Sequence, residues 1–568
     1  MLPSSVDVVI IGAGPAGSTL AALLRRHRPS TSVLVLERER LPRHRIGESL
    51  LVDVNRILAD MGALAAVESA GFSRKYGATF VWGDEREPFH FLWSEGKSLV
   101  SRPEGYQLEY TWHVDRAEYD RLLAEAAREA GARVEEAHTV TGFIREGDRV
   151  GGVRVRPPEG VEHTVRARFV IDCAGAHGPI HRQLAGKQLD ESLRNVALFG
   201  YRRGVGTHPD LGGTDHPRTL ILTHPRGWVW VIPLRDGITS VGFVTDVHSH
   251  RAAAVQDKVA HYESILKSLR EYERLFADSE LVDYRGDGKR VHAIQEYSYQ
   301  CEQIWGPGWV TCGNAAGFVD AILSIGVYMA QTHAQFLACA LRSVLDAEAD
   351  EADALECYAT TVRENLAAFR AVAHMFYAYN ASMSDWWRTC SEQLRASTLV
   401  PDDRNAFLAF FTGFSARSAI YEEAVNAFGG SFLFDVGRAI FDDRTFASDA
   451  VSQEVERARD LVRRDPALRL VAQVQPRNFW LPDVRNGRLA SVTRIDVALE
   501  GPCPPLARRL YLPPSLAQAL PLFDGSRTLG QIATTLAADG PVERRAVWLS
   551  ELCKLAYRLT CMGAVVEA

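Results

Sequence analysis

The sequence has few cysteines, and they are not spaced as paired ligands or as a disulfide framework. Nine cysteines are scattered over 568 residues, in odd number and without any CxxC spacing. A small disulfide-stabilised secreted protein would need paired cysteines at close intervals. The cysteines are therefore expected to be buried thiols of a protein from the reducing cytoplasm.

Long runs of one charge and long apolar runs are also missing. The net charge is −7 and no long basic run is present, so we expect no nucleic-acid partner. No apolar run is long enough to span a bilayer. A first strand begins within ten residues of Met1, with no signal-peptide pattern before it. These absences predict a cytoplasmic protein that does not act at a membrane.

Sequence motifs of nucleophilic hydrolases and of metal sites are missing as well. The chain has no GxSxG motif and no Ser/His/Asp signature. His248 and His250 would share one face of a strand, but no third ligand accompanies them. We interpret them as surface histidines and expect no bound metal.

The N-terminal end carries the pattern of a dinucleotide-binding unit. A β-branched run ends at Ile11 and leads into Gly12-Ala13-Gly14-Pro15-Ala16-Gly17, a helical segment, a second apolar run and Glu37. The first glycine permits the tight turn, the second lets the backbone approach a pyrophosphate, and the third lets the helix pack close to the strand. The helix start binds phosphates, and Glu37 can accept a hydrogen bond from a ribose hydroxyl. The cofactor-binding residues expected here are Gly12, Gly14, Ala16, Gly17 and Glu37.

The length and the hydrophobic content of 46% allow more than one domain. We predict an α/β domain over residues 1–335, in which a β-sheet layer covers a pocket. Residues 336–475 are predicted as a helical region rich in aromatic side chains. Residues 476–505 are rich in Pro, Arg and Asn and are predicted as a linker. Residues 506–568 are predicted as a small winged-helix-like domain.

Five parts of the first 335 residues together resemble the FAD-dependent monooxygenase fold. They are the Gly12–Gly17 turn, Glu37, Arg116 with Asp120, the run Asp172–Gly175, and the segment Gly313–Asp320. The resemblance implies a Rossmann-type FAD domain that carries a β-sheet substrate layer. It also implies that the last segment lies against the ribityl chain and the isoalloxazine. The further FAD-binding residues implied are Arg116, Asp172, Gly313, Asn314 and Asp320.

Two more features resemble flavin-dependent halogenases, in particular the branch with a C-terminal extension typified by the chloramphenicol and chondrochloren enzymes. The run from Trp228 to Pro233 resembles the WxWxIP motif of these enzymes. Lys75 follows a Gly47-Glu48-Ser49 element, as the catalytic lysine of the family does. Glu48 stands where the chloramphenicol-type enzyme has a glutamate paired with that lysine. A strand with two aromatic residues and a surface lysine are the alternative interpretations of the two features.

The resemblance implies a halogenase that uses O₂, chloride or bromide, and FADH2 from a separate flavin reductase, with chlorination expected. Halide would lie at a helix start near Gly326 and Val327, and hypohalous acid would form at the flavin. Lys75 would then deliver it to an electron-rich carbon, with Glu48 setting the protonation of Lys75 or of the departing groups. The side chains that would keep substrate away from the flavin are Trp228, Trp230, Ile232 and Pro233.

The acceptor implied is a natural-product intermediate, either a free small molecule or one tethered to a carrier protein. A flavin-dependent monooxygenase that hydroxylates its substrate, or a dehydrogenase, is the alternative on the same fold.

Three positions depart from the family pattern. Asn314 stands where the family has Asp after Gly313, Ala321 where Pro usually follows the aspartate, and Val52 where Pro follows GESLL. Asn314 can still hydrogen-bond a ribityl hydroxyl, although it adds no charge. Ala321 fixes its turn less firmly than a proline would. None of these changes removes a proposed catalytic group.

Overall fold

The computed structural model describes residues 2–82, 88–93, 109–207, 216–253, 256–295, 298–322, 324–378, 463–471, 473–484, 486–498, 509–512, 514–537, 542–561 and 564–568. Within these ranges no helix combines the length and the apolar character needed to cross a membrane.

The strands follow one another in this order: β1 Ser5–Ile11, β2 Val33–Leu36, β3 Ser73–Lys75, β4 Gly77–Val81, β5 Pro88–Leu92, β6 Thr111–His113, β7 Arg133–Glu135, β8 Thr139–Glu146, β9 Arg149–Arg156, β10 His163–Asp172, β11 Lys187–Leu189, β12 Asn195–Arg203, β13 Thr219–His224, β14 Gly227–Pro233, β15 Ile238–Asp246, β16 Glu280–Val282, β17 Val291–Gln295, β18 Tyr299–Cys301, β19 Trp305–Gly306, β20 Trp309–Thr311, β21 Gly317–Phe318, β22 Ala467–Leu470, β23 Gln473–Asp483, β24 Arg488–Ala498, β25 Arg509–Leu512, β26 Asp524–Thr528 and β27 Val565–Glu567.

The α-helices are α1 Pro15–His27, α2 Val54–Met61, α3 Leu64–Ser69, α4 Arg116–Glu129, α5 Val247–Ala252, α6 Lys258–Lys267, α7 Tyr272–Leu275, α8 Ile325–Leu345, α9 Glu351–Ala378, α10 Pro514–Ala517, α11 Leu529–Ala537 and α12 Val542–Cys561.

A parallel sheet forms the centre of the N-terminal part. Its strand order is β19-β20-β10-β1-β2-β7, and β1 lies between β10 and β2, in parallel register with both. The run Val8–Ile11 is buried, as expected for a parallel strand covered on both faces. The carboxyl ends of these strands bring the Gly12 turn, Glu37 and the loop after Asp172 to one edge, which is where doubly wound α/β proteins bind ligands. The α/β fold predicted for an FAD-dependent monooxygenase-like chain is confirmed.

A second, mixed sheet provides the layer that covers the pocket. Its order is β16-β12-β15-β14-β13-β4-β5, with β17 also paired to β12. Strand β14, which carries both tryptophans of the WxWxIP run, is an inner strand between β13 and β15. The short strands β3 and β6 pair beside this sheet and place Lys75 opposite Thr111.

Helix α8 continues from the cofactor edge and is almost wholly buried, and α9 follows it within the predicted helical region. Tyr358 of α9 donates to the Thr311 carbonyl over 3.0 Å, which ties α9 to the end of β20. The predicted helical region is helical up to Ala378. Residues 379–462, which include most of the predicted aromatic helices, lie outside the described residues.

The prediction of a linker over residues 476–505 is wrong. Strands β23 and β24 form an antiparallel hairpin over most of it. Asn486-Gly487, with Gly487 at φ +62°, lies at the turn, and this dipeptide is a strong hairpin signal. The hairpin is anchored to the helices, since Leu489 N donates to Ser343 Oγ over 2.9 Å.

The C-terminal residues contain helices α11 and α12 and a three-stranded sheet of order β26-β22-β27. Its central strand, β22, comes from before the hairpin. The helices share an apolar core that includes Ile532, Leu552 and Leu559. The winged-helix description and the outer domain boundaries stay predictions.

Candidate active site

A cavity of about 650 Å³ lies between the carboxyl edge of the parallel sheet and the second sheet. Its walls come from the glycine-rich turn, the loop that leads from Glu37 to Ser49, the loop after β10, the inner face of the second sheet and the start of α8. The cavity joins regions that the sequence predicts to bind a cofactor with regions predicted to act on a substrate.

The glycine-rich turn has the backbone geometry that dinucleotide binding requires. Gly12 has φ +102°, and a side chain there would meet the Cys173 carbonyl at 2.9 Å. A Cβ on Gly17 would lie 1.9 Å from the Gly12 carbonyl oxygen, so this position keeps helix and strand together. Helix α1 begins at Pro15 without a side-chain cap, and Gly14 and Ala16 line the cavity. The first N–H groups of α1 are thus available to an anion.

Glu37 is buried and holds the turn as well as facing the cavity. Its Oε2 accepts a hydrogen bond from Ala13 N at 2.9 Å and a second from Arg43 at 3.3 Å. Arg43 also donates to Asp120 over 2.7 Å, and Arg116 donates to the other oxygen of that carboxylate over 2.8 Å. The two arginines both line the cavity, so this network brings two positive charges to the side where a pyrophosphate would lie.

Three residues predicted to bind FAD lie outside the described wall of the cavity, and their role in binding stays a prediction. Asp172 is fully buried, and its carboxylate accepts from Ala174 N at 3.0 Å and from Ile180 N at 2.7 Å. Asp320 is also fully buried and accepts from Ile322 N at 2.9 Å. The described residues of the cavity wall do not include Asp172, Asp320 or Gly313. An acid at the end of a buried strand or turn is held by the N–H groups that follow it, so these positions shape the loops that do reach the cavity.

Asn314 supplies an independent sign that a polar group belongs in the cavity. It lines the wall, and its buried Oδ1 has no hydrogen-bond partner among the residues that the structure describes. A buried polar atom without a partner is costly, so a ligand hydroxyl is the natural donor for it. Gly313, with φ +62°, lets this turn lie against Ala16 and Ala330, since a Cβ would approach them to 2.8 and 3.1 Å. The residues present therefore fit a dinucleotide cofactor, and Asn314 would accept a hydrogen bond from one of its hydroxyl groups.

The predicted halide site lies at the start of α8. Ser324 is in the left-handed region at φ 56° and gives the helix no side-chain cap. Gly326 and Val327 follow it in the first turn and line the cavity. A Cβ on Gly326 would lie 2.9 Å from the Phe318 ring, so glycine is required there. The positive end of a long buried helix thus faces the cavity, which favours an anion.

The WxWxIP run lies on the inner face of the second sheet. Trp228, Trp230 and Ile232 line the cavity, with the two indole centroids 6.0 Å apart, whereas Pro233 is not part of the described wall. Trp230 Nε1 donates to Ser240 Oγ over 3.2 Å. Trp228 Nε1 donates to the Tyr377 hydroxyl over 3.0 Å, and that hydroxyl donates to Asp320 over 2.9 Å. Both rings are therefore fixed by hydrogen bonds as well as by packing.

Lys75 is buried, with 2% of its surface exposed, and does not reach bulk water. Its Nζ donates to Ser49 Oγ and to the Leu50 carbonyl, both over 2.8 Å, and lies 5.2 Å from the Trp93 ring centroid. Burial lowers the pKa of Lys75 to about 7. Ser49 lines the cavity, so the amine lies directly behind the cavity wall.

Glu48 lines the same cavity but is turned away from Lys75. Its carboxylate accepts from the Tyr201 hydroxyl at 2.8 Å and from Ser240 Oγ at 3.5 Å. Burial raises the pKa of Glu48, although the Tyr201 hydroxyl and the charge of Arg285 act in the opposite direction. Among the described residues no ion pair or hydrogen bond joins Glu48 to Lys75, so the pairing implied by the resemblance is not present here.

The sequence analysis missed several side chains of the site. Thr219 Oγ1 is 2.8 Å from Ser49 Oγ and 3.0 Å from His113 Nε2. Arg43 lies in the charged 38–45 loop, and Tyr201 and Ser240 belong to no sequence motif. The one available signal was the charge of the 38–45 loop next to a dinucleotide motif.

The fold and the site define a flavoprotein of the monooxygenase type whose cavity is lined by a WxWxIP strand and has a buried lysine behind its wall. The family model described as tryptophan halogenase matches residues 7–103 and 96–431, well over half of the chain. The chain therefore belongs to this family of flavin-dependent halogenases.

Individual relatives agree with this assignment. A tryptophan 2-halogenase of Chondromyces crocatus is 31% identical over 395 residues, which are 69% of this chain and 71% of that protein. A 1H-pyrrole-2-carbonyl-[peptidyl-carrier protein] chlorinase of Pseudomonas fluorescens is 28% identical over 345 residues, or 58% of this chain and 74% of that protein.

Two solved structures are similar as well. The myxobacterial chondrochloren halogenase CndH superimposes with a TM-score of 0.61 at 29% identity and covers 77% of this chain and 96% of its own. The flavin-dependent halogenase CmlS has a TM-score of 0.67 and covers 100% of this chain and 96% of its own. At 24% identity, the second likeness concerns the fold alone.

Proposed function

We propose that this protein is an FADH2-dependent halogenase that transfers halogen to an electron-rich carbon by way of Lys75, with chloride as the expected halide. When bound, reduced FAD together with O₂ supplies the oxidising power that turns halide into hypohalous acid. A separate flavin reductase provides the reduced cofactor, and the cytoplasm is the expected compartment, since the described cysteines are free thiols. The single observation that carries the proposal is the buried amine of Lys75 behind the wall of the cofactor cavity.

The contacts of Lys75 suit an amine that is neutral when it reacts. A neutral amine has two N–H donors and one lone pair, whereas an ammonium has three donors. Lys75 donates to two acceptors, Ser49 Oγ and the Leu50 carbonyl, and no carboxylate forms an ion pair with it among the described residues. The lone pair is therefore available to bind hypohalous acid, either covalently as a haloamine or through a hydrogen bond from its O–H.

The first turn of α8 and the two tryptophans have separate roles in this proposal, halide binding and exclusion of the substrate from the flavin. The helix start at Gly326 and Val327 favours halide within the cavity. Trp228 and Trp230, each held by a hydrogen bond, occupy the inner face of the second sheet and exclude an organic substrate from the flavin side. An oxidant small enough to pass them can reach Lys75, while the acceptor cannot reach the flavin directly.

Glu48 is proposed as the base that removes the proton from the carbon that receives the halogen. It lies on the cavity wall, and its raised pKa makes it a stronger base than an exposed glutamate. The halogen leaves the oxygen of hypohalous acid or the nitrogen of the haloamine as the carbon–halogen bond forms, the carbon–hydrogen bond breaks, and its proton passes to the carboxylate. The oxygen or nitrogen that loses the halogen keeps the bonding electron pair and takes up a proton, which gives water or the free amine.

The acceptor is proposed to be an activated aromatic ring or an enol-like carbon, free or tethered to a carrier protein. Support for the tethered form comes from the relative that acts on a pyrrole-2-carbonyl group held by a peptidyl-carrier protein.

Halide dependence of the product mass tests the proposal. The full chain is incubated with FAD, a flavin reductase, NADH and a panel of electron-rich acceptors, free and carrier-bound, with chloride, bromide or no halide. We expect a product with the mass and isotope pattern of the added halogen. Excess taurine scavenges hypohalous acid that has left the protein, so product formed in its presence is enzyme-directed. An oxygenated or dehydrogenated product that forms equally without halide would instead indicate a hydroxylase or a dehydrogenase.

The reactivity of Lys75 toward cyanate should follow its lowered pKa. Isocyanic acid, the reactive form of cyanate, carbamylates only a neutral amine, so the rate divided by the concentration of isocyanic acid at each pH rises until the amine has lost its proton. For Lys75 we expect a rise that levels off above about pH 7, whereas an ordinary lysine continues to gain reactivity up to about pH 10. Peptide mass spectrometry of the labelled protein measures both, with the exposed Lys267 as internal reference. Parallel curves for the two lysines would contradict the neutral-amine proposal.

A further inference from the structure

A continuous chain of hydrogen bonds leads from Lys75 to a buried histidine. Lys75 Nζ donates to Ser49 Oγ over 2.8 Å, Ser49 Oγ is 2.8 Å from Thr219 Oγ1, and Thr219 Oγ1 is 3.0 Å from His113 Nε2. All four side chains are buried. They come from four separate segments of the chain. Strand β3, which carries Lys75, pairs with β6, which carries His113. Ser49 forms a bridge with His113, and Thr219 is the first residue of β13.

The direction of this chain depends on the state of its last member. Burial, and then the positive charge of Lys75, hold the pKa of His113 well below its usual range, so the imidazole is neutral. A neutral imidazole has one acceptor nitrogen, and we assign its proton to Nδ1, which leaves Nε2 as the acceptor. Thr219 then donates to His113, Ser49 donates to Thr219, and the Ser49 oxygen is left to accept from Lys75. Every hydroxyl in the chain is polarised in the same direction, which strengthens the bond at the lysine end.

We propose that Thr219 and His113 are positioning residues that act through Ser49, orienting its hydroxyl so that its oxygen accepts from Lys75 and helps the amine to hold a proton. The importance of this role for halogen transfer rests on the proposed function of Lys75. A buried lysine without a counter-ion would otherwise lose its proton too readily to exchange it during the reaction. A group that gives and takes protons works best with its pKa near the working pH.

Among the described residues, the charged groups near this chain are few. Burial is the cause of the lowered pKa of Lys75, and Lys75 is the charged group that lowers the pKa of His113. Glu48 directs its carboxylate to Tyr201 and Ser240. The described elements packed around the amine are β3, β6, β13, the Ser49–Leu50 segment and Trp93, and His113 is the titratable side chain that they join to it by hydrogen bonds.

Two matched pairs of variants test the proposal in the full-length protein by cyanate labelling of Lys75. Thr219→Val removes the hydroxyl at nearly constant volume, and Thr219→Ser keeps it. His113→Phe removes the acceptor, and His113→Gln keeps an oxygen that can accept from Thr219. We expect the midpoint of the Lys75 labelling curve to fall by about one pH unit in Thr219→Val and His113→Phe, and to stay at the wild-type value in Thr219→Ser and His113→Gln.

An unchanged midpoint in Thr219→Val and His113→Phe would overturn the proposal, and so would equal shifts in the conservative variants. Thermal unfolding followed by circular dichroism establishes that each variant is folded, and if one disruptive variant does not fold, the other pair decides. The assay needs neither flavin nor halide, so its result is independent of whether the protein halogenates the acceptors supplied.

Discussion

Replacement of Lys75 by methionine should lower enzyme-directed halogenation by at least about a hundredfold, the scale expected for loss of a proton-transferring or nucleophilic group. Methionine keeps most of the side-chain volume and removes the amine that receives hypohalous acid. Lys75 lies behind the cavity wall and contacts it through Ser49, so cofactor binding should be unaffected. The measurements are product mass with taurine present, hypohalous acid trapped by taurine, and FAD affinity from flavin fluorescence.

Two companion variants make this result specific. Lys75→Arg keeps a positive charge but provides no neutral amine at working pH, so it should fail as completely as methionine. Arg74→Ala is the control at the adjacent position, where the side chain is exposed and pairs with Glu68 over 2.7 Å. Arg74→Ala should retain full activity. Halogenated product from Lys75→Met at more than a tenth of the wild-type rate would exclude the lysine from the mechanism.

The cofactor half of the site could be predicted from the sequence because its determinants are local. Gly12, Gly14 and Gly17 lie within six residues, and their spacing encodes a turn whose geometry leaves no room for a Cβ at the first and third positions. The two strands that flank the turn are apolar runs of a buried parallel sheet. A pattern of this kind depends on backbone sterics more than on distant partners, so it specifies both structure and ligand class.

The catalytic half could be predicted only in part because its contacts join distant segments. Ser49 and Thr219 are 170 positions apart, and His113 and Thr219 are 106 positions apart. The family resemblance identified Lys75 and Glu48 as candidates but could not give their orientation. The orientation of Glu48 follows from a hydrogen bond to Tyr201, 153 positions away, and no sequence motif marks that tyrosine.

The wrong linker prediction has a different cause. The Pro, Arg and Asn content of residues 476–505 indicates a linker. The Asn486-Gly487 turn signal, between two segments that can pair as strands, indicates a hairpin. Backbone pairing over 11 residue pairs then satisfies N–H and C=O groups that an isolated linker would leave to water. The hairpin also contacts α8 and α9, the two helices that follow the cofactor edge.

Glu48→Gln is the second substitution with a large expected effect. It separates a role of the carboxylate in proton transfer during the reaction from a role in setting the protonation of Lys75. A glutamine can still accept the hydrogen bond from Tyr201 at 2.8 Å and fill the same volume, but it cannot take up a proton. If Glu48 is the base for the halogenated carbon, transfer should fall by about 10²- to 10⁴-fold. The Lys75 labelling curve should stay unchanged, because no hydrogen bond joins the two side chains among the described residues.

Tyr201→Phe is the matched control for Glu48→Gln, since it leaves the carboxyl group and removes the hydrogen bond that favours its ionised form. The hydroxyl of Tyr201 lowers the pKa of Glu48 against the stronger effect of burial, so its loss should raise that pKa further. A base must be ionised, and its activity is lost as the pH falls through its pKa. Halogenation by Tyr201→Phe should therefore decline at a higher pH than in the wild type and recover when the pH is raised, whereas Glu48→Gln should not recover at any pH. Equal pH profiles for Tyr201→Phe and the wild type, together with an active Glu48→Gln, would leave proton removal to Lys75 or to water.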